Sequence, residues 1–214
     1  MKKILLYAAV FLVACNSKKG DNADAEDKQS VSNTMGSSYT LDSTSIVNWE
    51  ASKPTATHKG TFALKEGSFI VQDNNLNGGS FTIDISSIKN IDLAEDKGKG
   101  KLEGHLKSPD FFDIAKFPTA KFEITKVEPY SADTTSALKE ATHTISGNLT
   151  LKDSTKNIRF PARVTIDARS LSAKADFNID RTMWGMNYKG PGNPQDWFIS
   201  KQVNLKLDLS ASLK

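Results

Sequence analysis

Cys15 and three histidines, His58, His105 and His143, are the residues whose types most readily support nucleophilic or metal-ligating chemistry. The histidines form no HxH or HxxxH pair, the spacings that bring two imidazoles to one face of a strand or helix. No GxSxG elbow, Walker loop or GxGxxG fingerprint is present. No catalytic residue, metal ligand or cofactor is therefore assigned, and the reading is a binding protein rather than an enzyme. His105 reads as a hydrogen-bonding group at a helix end. The charged pair Asp180-Arg181 has two readings: a rim salt bridge, or a buried arginine that holds a polar network. "KGPGNP" at 189–194 lacks the strand-to-helix context of a phosphate cradle and reads as a surface loop. Trp184 and Trp197 flank it, and either cap one end of the domain or pack against it.

The single cysteine gains its meaning from what precedes it. Lys2 and Lys3 form a basic start, and an apolar run of about a dozen residues follows, too short to span a bilayer. Leu12-Val13-Ala14-Cys15 then resembles the lipobox of bacterial lipoproteins. Residues 1–14 are thus expected to be a signal peptide, with Cys15 the lipid attachment site and the membrane partner. The expected location is the cell envelope, lipid-anchored at an outer membrane facing the periplasm. Residues 15–38 hold almost no large apolar side chain, so they are expected to form a flexible tether ahead of a domain over 39–214.

Lys plus Arg number 28 against 25 Asp plus Glu. That balance argues against a nucleic-acid binder, which needs a concentrated basic face. The sequence leaves the oligomeric state open.

The elements around these residues are strands. Period-two alternation runs through 80–86, 119–127, 145–151, 158–166, 171–179 and 203–213, with earlier strands near 45–51, 61–65 and 68–73. Polar turns are expected at 72–79 and 152–156. Each strand has one apolar and one polar face, as in antiparallel sheet. About eight such strands predict an all-β sandwich or closed barrel. The exception is a short helix near 99–107, with Leu102 and Leu106 four apart and a stop before Pro109.

The segment "GHLKSPDFFDIAKFPTAKFEIT" resembles the YceI-like family of exported polyisoprenoid-binding proteins. The carriers are His105-Leu106, Ser108 to Asp113, Phe117-Pro118 and Phe122. "FTIDISSI" from Phe81, "GNLTLKDSTK" from Gly147 and "FNIDRTMWGM" from Phe177 agree in order. The resemblance implies an antiparallel, lipocalin-like barrel that holds a long isoprenoid or quinone-type lipid in an apolar interior. Two departures stand out. Asp153 replaces a hairpin glycine, and the histidine after Asp42 is missing, with Thr44 before Ser45. Under this reading Phe62, Phe81, Phe122, Phe160, Phe177 and Trp184 are the candidate ligand wall. The alternatives are that these rings simply fill the barrel, and that the chain is a structural or stress-related surface lipoprotein without a ligand.

Overall fold

A computed structural model describes residues 20–31, 34–131, 136–190 and 199–214. The strands are β1 (Asp21–Asn22), β2 (Ala25–Asp27), β3 (Ser37–Leu41), β4 (Ile46–Lys53), β5 (Ala56–Gln72), β6 (Asn75–Asn90), β7 (Thr119–Pro129), β8 (His143–Leu151), β9 (Ser154–Ile166), β10 (Ser170–Asp180) and β11 (Gln202–Leu213). One α-helix, α1 (Lys99–Lys107), lies between β6 and β7, and a 3-10 turn spans Arg181–Trp184.

The alternating faces close on themselves. β4 to β11 pair antiparallel in chain order, and β11 returns to β4. The result is an eight-stranded barrel with one short helix, the closed form of the two architectures that the alternation allows. Closure removes the exposed edges that eight amphipathic strands would otherwise offer. The apolar members of each alternation, such as Ile83, Ile124, Leu149, Val164 and Ala175, are buried. β3 prolongs the β4 position, bridging the far ends of β11 and β5.

Two details depart from expectation. The separate strands near 61–65 and 68–73 are one strand, β5, interrupted by register shifts against β6. The turn expected over 72–79 narrows to Asp73-Asn74, both at positive φ, where Asp and Asn are tolerated. In the next hairpin the left-handed residue is Lys152, at φ 55°, rather than Asp153.

The tether expectation needs correction over residues 20–31. β9 and β10 pair only from Leu171 to Ala175. Where they part, β1 runs parallel to Phe177-Asn178 and β2 antiparallel to Lys156–Ile158. Ala23 is buried there. Asn148, itself buried, grips Gln29 at both backbone groups: its Oδ1 accepts from Gln29 N at 3.0 Å, and its Nδ2 donates to Gln29 O at 2.8 Å. Composition misses this because strand addition uses main-chain hydrogen bonds, which polar side chains do not impede. Asn148→Ala is expected to free this segment, with faster limited proteolysis within residues 20–31 and a stability loss of about 1–2 kcal/mol in urea titration. Unchanged proteolysis would contradict the grip.

Candidate functional site

The barrel interior has two unequal halves. One is filled by rings. Phe160 stacks on Phe177 at 4.0 Å between centroids, Phe122 lies 5.7 Å from Phe160, and Phe81 lies 5.2 Å from Phe122. Gly147 lets this packing form, since a Cβ there would stand 2.2 Å from the Phe122 ring. The space left in this half is about 30 Å³.

The other half holds a cavity of about 340 Å³. That is within the range of small-molecule sites. Its walls are the apolar inward residues of the strands, among them Val47, Trp49, Phe62, Ile83, Ile85 and Leu149. Leu102 and Leu106 of α1 and Phe111 and Phe112 after it also line the cavity. Phe112 meets Phe62 edge-on at 5.6 Å. The four-residue spacing of the two leucines places both on one helix face.

The six candidate wall residues therefore separate. Phe62 lines the large cavity. Phe81, Phe122, Phe160 and Phe177 form the filled half, where the first three border the small void. Trp184 is almost wholly buried and donates from Nε1 to Leu149 O at 3.0 Å. Cys15 and Trp197 lie outside the described residues. The sequence reading missed Phe111 and Phe112 as cavity residues; their place in the family-like segment was the available signal.

Arg181 takes the second of its two readings. It is buried at 3% exposure, and its guanidinium reaches four main-chain carbonyls. Nε donates to Ser200 O at 3.0 Å, Nη2 to Tyr188 O at 3.1 Å and to Ile199 O at 2.9 Å, and Nη1 to Met186 O. Two chain segments that approach the cavity, 186–190 and 199–200, thus converge on one side chain. Burial lowers the Arg181 pKa and the nearby Asp180 opposes it; an arginine stays charged regardless. Asp180 turns elsewhere, to Lys201 at 3.1 Å and to Thr182.

Two histidines also reach the cavity. His58 Nδ1 meets Asp92 at 2.9 Å. Burial raises the Asp92 pKa, but hydrogen bonds from Lys59 N, His58 and Asn90 outweigh it, and the net shift is downward. His105, near the end of α1, meets Asp110 at 2.9 Å and packs edge-on against Phe111 and Tyr188. The hydrogen-bonding role expected of His105 is what the structure shows. No group of three or more His, Cys, Asp or Glu able to hold a metal occurs among the described residues.

The model of the YceI-like domain matches residues 39–211. A UPF0312 protein of Pseudomonas putida (strain W619) is 28% identical over 173 residues, covering 76% of this chain and 82% of its own. Another, from Enterobacter sp. (strain 638), is 32% identical over 107 residues, 49% of this chain and 47% of its own. The fold is similar to that of BcnA from Burkholderia cenocepacia, with TM-score 0.61, 18% identity, and coverage of 80% of this chain and 99% of that one. It is also similar to a polyisoprenoid binding domain from Saccharophagus degradans implicated in plant cell wall breakdown, with TM-score 0.58, 17% identity, and coverage of 82% and 98%.

Proposed function

The chain belongs to the YceI-like domain family, and from that premise we propose that its barrel binds one long apolar lipid, an isoprenoid or quinone-type chain, in the cavity beneath α1. The observation that carries this reading is the cavity itself. Eight-stranded barrels are wide enough for side chains to fill, or to hold one small ligand. Here one half is filled, and the other keeps about 340 Å³ behind apolar walls. The similarity to a polyisoprenoid binding domain supports the choice of lipid.

The driving force is removal of apolar surface from water. A chain that loses about 300 Å² gains roughly 7 kcal/mol before the entropy cost of association. Few polar contacts are then needed. The role is binding, transport or storage. The packed rings of the closed half give the ligand-free alternative its support, and uptake of added prenyl lipid separates the two: a protein that takes up none is the filled structural lipoprotein.

The proposal extends to export and anchoring through Cys15 in the cell envelope. Cys15→Ala is expected to move the protein from the membrane pellet to the soluble fraction. A variant that stays with the membranes would overturn the anchor.

A further inference from the structure

The ionisable groups that reach the cavity include five basic side chains, Lys53, His58, His105, Arg181 and Lys189, and no carboxylate among the described residues. The chain as a whole is nearly balanced, 28 basic against 25 acidic residues, so this one-sided lining is a local arrangement. All five sit on the elements that surround the open end: Lys53 and His58 on the β4–β5 hairpin, His105 on α1, Arg181 and Lys189 on the segment that follows β10. The barrel walls beneath them are apolar.

The nearby acids are already committed. Asp92 and Asp110 each hold one ring nitrogen of His58 and His105, which leaves the second nitrogen of each ring unclaimed by them. Asp180 is paired with Lys201. Lys53 and Lys189 form no salt bridge among the described residues; the Lys189 ammonium instead stands over the Tyr188 ring at 5.6 Å. Arg181 has five N–H groups and gives four to main-chain carbonyls, with one Nη1 proton left. The buried indole N–H of Trp49, on the cavity wall, has no acceptor among the described residues. Donors and positive charge thus exceed acceptors around an otherwise apolar space.

We infer that the ligand is an amphiphile with an anionic head, a phosphate or a carboxylate, whose apolar chain enters the barrel while the head stays among the basic groups at the open end. This rests on the proposal that the cavity holds a lipid, and adds the class of head group. A charge-assisted hydrogen bond is stronger than a neutral one, and partial exclusion of water at the opening reduces screening.

The test is a binding series with matched chains on the full-length protein, followed by its intrinsic tryptophan fluorescence. Farnesyl phosphate is compared with farnesol, and palmitate with hexadecanol. The anionic member of at least one pair should bind about tenfold or more tightly than its alcohol. The pair with the larger gap distinguishes phosphate from carboxylate. The advantage should shrink in Lys53→Gln/Lys189→Gln and in high salt. Equal affinity for anion and alcohol in both pairs overturns the head-group assignment and leaves the lipid reading standing. So does an anion preference that the double variant keeps in full. Binding of none of the four overturns both.

Discussion

Arg181→Met should unfasten the segments that border the open end of the barrel and cost the fold about 3 kcal/mol or more. The substitution keeps an unbranched apolar stem and removes every donor. Four carbonyls, of Met186, Tyr188, Ile199 and Ser200, then lose their partner. Hydrogen bonds to a charged group contribute about 1.5–3 kcal/mol each, and a buried acceptor left alone carries its full desolvation cost. Some carbonyls will turn to water once the segments loosen, so the sum is less than four separate losses. Urea titration should show the drop, and hydrogen exchange should rise at 186–190 and 199–200 while β6 to β8 stay protected. Arg181→Lys should recover little, because a single ammonium cannot reach four carbonyls that a planar fork spans. A loss below about 1 kcal/mol with unchanged exchange would show that the guanidinium does not hold these segments.

Ala120→Phe should abolish lipid binding and spare the fold. Ala120 is buried on β7 and lines the cavity. A ring placed there enters space that is otherwise open, so the stability change should stay within about 1–2 kcal/mol in either direction. Phe122→Leu, two residues along the same strand, should do the opposite. Phe122 sits between Phe81 and Phe160 and over Gly147, in the half with almost no free space. Its truncation should cost about 1–3 kcal/mol through lost packing and leave lipid uptake near that of the parent protein. Denaturation curves and lipid titration on the two variants read the contrast directly.

That contrast also marks how far the sequence could be read. Period-two alternation says which side chains share a face, and β6 to β11 follow it closely. The helix over Lys99–Lys107 was legible from the loss of alternation, the Leu102–Leu106 spacing and the proline beyond. Depth along the barrel axis was not legible. Phe62 and Phe122 look alike in their strands, yet one lines the cavity and the other the packed half. Depth depends on strand register and tilt, which pairings between distant segments set. The same holds for Arg181, whose burial comes from segments that fold back over it rather than from its neighbours in β10. Residues 20–31 were hidden for another reason. Their order comes from main-chain bonds to the parted β9 and β10, and main-chain donors leave no mark on composition. Gly78 and Gly79, read as part of a turn, lie in β6 instead, where a Cβ on Gly79 would stand 2.5 Å from the carbonyl oxygen of Ser68.

Native mass spectrometry of the purified full chain, then offered a prenyl lipid, tests the central claim most directly. The account predicts a one-to-one complex with an apolar lipid, either co-purified or taken up on addition, that solvent extraction removes and Ala120→Phe does not form. A protein that carries no lipid, and takes up none when it is supplied, would contradict it.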